Sequence, residues 1–116
     1  MKSLGFIEVQ SVTAAVDALD IMCKTANVEF VTWERRLGGR LVTVIVQGQL
    51  SAVTQAVNAA VEHCIIEPAA HAVIASPHEE TARILELSAA RTRKTYEAKL
   101  ASSKQSSADE TYLQEV

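Results

Sequence analysis

Glycine, proline, cysteine and aromatic residues are all scarce in this 116-residue chain, with four, two, two and five of them respectively. Glycines this sparse supply neither a G-x-G-x-x-G nor a G-x-x-x-x-G-K loop, so nucleotide binding by those routes is excluded. Cys23 and Cys64 are too far apart for a Cys-x-x-Cys motif, and His63, His71 and His78 are not spaced i, i+4. That pattern supplies no metal cluster, and the two cysteines are expected to be small core residues rather than disulfide partners. With few aromatics, the core must be built from Ala, Val, Ile and Leu, which pack closely and leave little room for a large cofactor. Excess positive charge is missing too: 11 Lys and Arg face 14 Asp and Glu, a net charge of −3. Nucleic-acid binding through phosphate neutralisation is therefore disfavoured. No run approaches the roughly 18 apolar residues of a membrane span, and MKSLGFIEV has no long apolar run behind its lysine. A soluble cytosolic protein is expected.

Hydrophobic residues make up 48% of the chain, enough for the core of one domain. Leu4 to Val9 has the length and character of a strand. Ser11 and Thr13 are candidate N-caps for a helix in which Ala14, Ala15, Ala18, Met22 and Ala26 recur at helical spacing. Val28–Glu34 and Leu41–Val46 are rich in β-branched and aromatic residues, with Gly38-Gly39 as a turn signal between them, and form an expected hairpin. Ser51 is the expected cap of a second helix whose buried face is Val53, Ala56, Val57, Ala60, Val61 and Cys64. Ala70–Ala75 is a last short strand, and Pro77-His78-Glu79-Glu80 starts a third helix with acidic residues in its first turn. The order βαββαβ implies an α+β, ferredoxin-like split βαβ fold, an antiparallel sheet with two helices on one face, followed by a C-terminal helical extension.

Charge divides the chain unevenly. Residues 1–89 carry six basic and ten acidic side chains, residues 90–104 five and one, and residues 105–116 none and three. This break separates a domain, 1–89, from an extension, 90–116. Within HEETARILELSAARTRKTYEAKLASSKQ, helix is expected to about residue 103, with Ile84, Leu87, Tyr96 and Leu100 forming a ragged apolar stripe. The Ser-rich, acidic end is expected to be disordered.

Catalytic constellations are weak. His63 and Cys64 are adjacent on a helix and so point about 100° apart, poor geometry for a nucleophile and its base. Asp17 and Asp20 are more simply a solvated face ion-paired through Lys24, four residues beyond Asp20. No catalytic residue and no cofactor is assigned, and an enzyme is not expected.

Four stretches carry a family resemblance. Asp17–Val28, DALDIMCKTANV, resembles the D-A-A-D-A-M-V-K-x-A-x-V segment of single-domain, hexamer-forming bacterial microcompartment shell proteins. SLGFIEV at 3–9, LVTVIVQGQL at 41–50 and VIASPH at 73–78 are similar to that family's A-L-G-M-I-E-T, L-V-T-V-I-V-R-G-D-V and V-I-P-R-P-H, in the same order. The resemblance implies a homohexameric disc that tiles with other shell proteins and carries a narrow central pore, located in a microcompartment shell in the cytoplasm. It places Lys24, Asn27, Ser76 and His78 at the hexamer edge. It places Arg36, Leu37, Gly38, Gly39 and Arg40 along the pore, where six arginines would favour small polar or anionic metabolites. Two unit charges about 4 Å apart repel by roughly 4 kcal/mol at an effective dielectric near 20. Arg40 is therefore expected to splay toward one face of the disc.

Four departures from the family pattern stand out. Ser76 replaces an edge arginine, Gln47-Gly48-Gln49 replaces R-G-D, and Arg40 occupies a common pore-glycine position in a hairpin one residue longer. The fourth is the extension itself, a candidate to cover one face of the disc, to recruit cargo enzymes or to limit assembly. The competing reading is a soluble small-molecule sensor of the PII-like or ACT-like kind, although the turn here is too short for a ligand-binding loop. An acylphosphatase-like enzyme is a third, but Gln10-Ser11-Val12-Thr13 lacks the glycine and arginine of a phosphate cradle.

Overall fold

The computed structural model describes residues 2–35 and 40–115, with side chains described through Lys104. Alternation in SLGFIEV sends Gly5, Ile7 and Val9 to one face of β1 (Ser3–Val9) and Leu4 and Phe6 to the other. This central strand pairs antiparallel with β3 (Val42–Gly48) on one side and β4 (Ala70–Ile74) on the other. β2 (Glu29–Glu34) pairs antiparallel with β3 and completes the sheet in the order β2-β3-β1-β4, the expected split βαβ arrangement. A register irregularity between Phe30 and Thr32 bends β2.

The first helix, α1 (Val12–Thr25), starts where the Ser11 hydroxyl accepts the Ala14 N–H at 3.0 Å, so Ser11 rather than Thr13 is the cap. α2 (Leu50–His63) differs from expectation at its start. Val53 N–H reaches Gln49 O at 2.9 Å, which makes Gln49 the N-cap and puts Ser51 inside the first turn, and Gln49 makes no side-chain capping bond. Ala14, Ala15, Ala18 and Met22 of α1 and Val53, Ala56, Val57 and Ala60 of α2 bury against Ile7, Val9, Val44 and Val46. Small residues on both helices permit this close packing. Gly5 is part of it, because a Cβ there would lie 2.8 Å from both Val53 Cγ1 and Val57 Cγ2. Cys64 is half-buried, its thiol 3.5 Å from the Ala14 carbonyl. Cys23, expected in the core, is exposed, since it lies about 100° round the helix from buried Met22.

The third helix, α3 (Glu79–Glu115), covers the opposite face of the sheet. Leu85 packs against Leu4 and Ile45, with Phe6 and Val31 beside them. Next to this small core lies a polar knot: Thr32, fully buried, bonds at 3.1 Å to the hydroxyls of both Ser88 and Thr92, and Ser88 also donates to Glu34. Arg91 lies 3.8 Å from Glu34. The stripe expected on α3 does not dock: Ile84 and Leu87 lie away from the docked face and Tyr96 and Leu100 lie past Thr92, so all four are exposed. The helix also continues past residue 103, where disorder was expected. Every residue after Pro77 is compatible with a helix, with no Gly or Pro among them, so nothing in the chain stops it.

Candidate functional site

The antiparallel register sorts the candidate residues to opposite ends of the sheet. Ser3 pairs with Gly48, Leu4 with Ile74, and Glu29 with Gln47, so the start of β1, the ends of β3 and β4 and the start of β2 share one end. α1 runs toward that end from the cap at Ser11, which brings Lys24 and Asn27 there. Ser76 and His78 follow directly after β4 at the same end. All four residues assigned to the hexamer edge are exposed and gathered at this end.

Local bonds hold their segments in place. Lys24 Nζ lies 2.8 Å from Asp20, one helical turn earlier, and this hydrogen bond, with the attraction of the same carboxylate, holds the ammonium above the usual lysine range. Asn27 sits in a loop whose carbonyl would lie 3.1 Å from a Cβ at position 48, so Gly48 allows the loop to approach the sheet. Ser3 Oγ donates to Ala75 O at 2.7 Å, anchoring the chain just before Ser76. His78 Nδ1 accepts the Glu80 N–H at 3.1 Å and its carbonyl accepts from Ala82, so this residue caps α3. Gln47, which stands in the family's arginine position, bonds to Glu29 at 3.2 Å, and Glu29 also meets Lys2 at 3.5 Å.

The opposite end carries the hairpin. Arg36, Leu37, Gly38 and Gly39, the pore candidates, lie outside the described residues. Arg40 is exposed and has φ 68°, the left-handed region that glycine tolerates and arginine rarely adopts. Arg40 thus carries a side chain on a backbone angle that suits glycine. Arg35 stacks over Trp33, with its guanidinium carbon 5.7 Å from the ring centroid. Arg35 and Arg40, with Ser11 and Leu41, line an open depression beside the N-terminus of α1.

Asp17, set aside above as part of a solvated face, accepts the backbone N–H of Ile65 at 3.0 Å and ties α1 to the turn after α2. The polar knot of Thr32, Glu34, Ser88 and Thr92 was not anticipated either. The spacing of Leu85, Ser88 and Thr92 at i, i+3 and i+7 was the available signal, but polar residues on a stripe do not register as an apolar face.

The BMC domain family matches residues 3–77, which includes the strands and both helices of the α1–α2 layer. Bacterial microcompartment shell protein PduA of Citrobacter freundii is 42% identical over 86 residues, covering 72% of this chain and 91% of that protein. Carboxysome shell protein CsoS1C of Hydrogenovibrio crunogenus is 40% identical over 91 residues, covering 73% of this chain and 85% of that one. Among solved structures, a microcompartments protein from Desulfitobacterium hafniense DCB superposes with a TM-score of 0.65 at 23% identity, over 76% of this chain. This chain spans about half the length of that protein, 48%. PduA and CsoS1C are structural shell proteins rather than catalysts. By sequence and by fold, the chain belongs to the BMC-domain family of bacterial microcompartment shell proteins.

Proposed function

We propose that the chain is a shell subunit that closes into a homohexamer, tiles beside other shell proteins, and passes small polar or anionic metabolites through a central pore. The observation that carries this reading is the separation of two surfaces by one sheet. Lys24, Asn27, Ser76 and His78 gather at one end, and Arg35 and Arg40 lie at the other. A subunit so arranged can point its hairpin at a six-fold axis while its far end meets the neighbouring disc. Arg36, Leu37, Gly38, Gly39 and Arg40 are the pore residues in this reading, and the shell lies in the cytoplasm. Residues 1–89 form the shell domain, with α3 carrying the chain beyond it as a candidate surface for cargo enzymes.

Exposed β4 and the exposed Val16, Ile65 and Val73 agree with a chain that buries more surface on assembly. The sensor and acylphosphatase readings gain no support from the described residues. Native mass by light scattering tests the ring: six subunits, or assemblies built of six, are expected, and a monomer or trimer would overturn it.

A further inference from the structure

α3 leaves the sheet while still carrying the stripe that docks it. Leu85, Ser88, Ala89 and Thr92 face the sheet, and Tyr96 and Leu100 continue that face at successive intervals of four residues. Beyond Thr92 every described side chain to Lys104 is exposed, Tyr96 by 63% and Leu100 by 39%. Residues 93–104 extend about 18 Å at 1.5 Å per residue. The radius of gyration is accordingly 16.9 Å, against about 13 Å for a compact chain of this length. With no glycine or proline in α3, nothing kinks it back onto its own sheet.

The same sheet face has an uncovered strip at its other edge. Ala70, Ala72 and Ile74 pair with Glu8, Phe6 and Leu4 and so share the face on which α3 lies. All of β4 is exposed, and Phe6 and Glu8 are only half-buried. The arm departs over β2 while this strip lies on β4 and β1, and β2 and β4 are opposite edges of the sheet. A straight arm therefore cannot reach the strip of its own chain. Charge matches as well: residues 90–104 carry five basic side chains against one acidic, and the strip carries the carboxylate of Glu8.

We infer that the arm of one copy docks on the β4–β1 strip of a second copy, Tyr96 and Leu100 resting on Phe6, Ala72 and Ile74 with the basic residues near Glu8. Such a contact joins the β2 edge of one copy to the β4 edge of the next. It is heterologous, the kind of interface that closes into a ring when the rotation permits. Opposite charges also make it salt-sensitive.

A photocrosslinking residue, benzoylphenylalanine, placed at Tyr96 in the full chain tests this. Unlabelled and isotope-labelled copies are mixed at low salt and irradiated, and the crosslinked peptides are identified by mass. Light arms joined to heavy β1 or β4 peptides are expected, with yield falling severalfold at high salt and in Glu8→Lys. Crosslinks confined to one label, or to peptides other than β1 and β4, would overturn the inference. Light scattering on the same sample separates it from the ring: six subunits without crosslinks between copies remove the arm contact and leave the ring, whereas such crosslinks in a smaller species uphold the contact and remove the ring.

Discussion

Gly5 and Arg40 are two positions where a single Cβ decides the outcome: at one it is absent because there is no room for it, at the other it is present on a backbone angle that suits glycine. At Gly5 there is no room for a methyl group, with Val53 Cγ1 and Val57 Cγ2 at 2.8 Å and Val46 Cγ2 at 3.2 Å from its place. Gly5→Ala is expected to destabilise the domain by about 1–3 kcal/mol through overpacking, read as a lowered denaturation midpoint at unchanged slope. At Arg40 the conflict runs the other way, since φ 68° strains any residue with a Cβ. Arg40→Gly should relieve strain and raise stability by about 1 kcal/mol. In the pore reading it should also weaken anion binding, and unchanged anion occupancy in crystals of the variant would count against an arginine constriction. Gln49 offers a third case: it occupies an N-cap without a side-chain capping bond. Gln49→Asp should restore the cap and stabilise α2 by about 1 kcal/mol, seen as a higher Tm.

At the scale of elements, α3 is held by one small apolar cluster and one polar knot, and the two should respond differently to mutation. Leu85→Ala removes the side chain that covers Leu4 and Ile45. It is expected to cost about 2–5 kcal/mol if α3 and the sheet unfold together. Thr32→Val leaves the Ser88 and Thr92 hydroxyls facing an apolar side chain in a buried site and should cost about 1–3 kcal/mol. Protection of the α3 amides from hydrogen exchange distinguishes local release of the helix from global loss. Removing residues 93–116 should leave both contacts intact, because every described side chain past Thr92 is exposed. Loss of folded protein from that truncation would show that the arm supports the domain.

For the whole molecule, the edge role is tested at Lys24. Its ammonium is exposed and free of any burial constraint beyond the ion pair with Asp20, so Lys24→Ala should leave the subunit and the ring intact and weaken extended sheets in electron micrographs. Normal sheets from that variant would remove the edge role. The sign of the pH dependence is also set: the Asp20 contact raises the Lys24 pKa. Its contribution is therefore complete at neutral pH and is lost only as pH rises through the lysine range. Sheet formation that fails between neutral and mildly alkaline pH would point to a different group.

Much of this protein is legible in its residues because the signals are local. Ser11 before a helical repeat of small residues, alternation along SLGFIEV and the β-branched run VTVIV each specify an element within one or two turns of chain. Their order then allows few topologies. The matching stretches are likewise short and continuous, each an element or the end of one with the residues that follow, which is why the family could be recognised from them. What only the tertiary structure decided depends on contacts between distant residues. Which face of α3 docks was settled by Thr32 and Glu34, more than fifty positions away from Ser88. The gathering of Lys24, Asn27, Ser76 and His78 follows from strand register, and register is a property of pairs of strands that no single stretch of sequence contains.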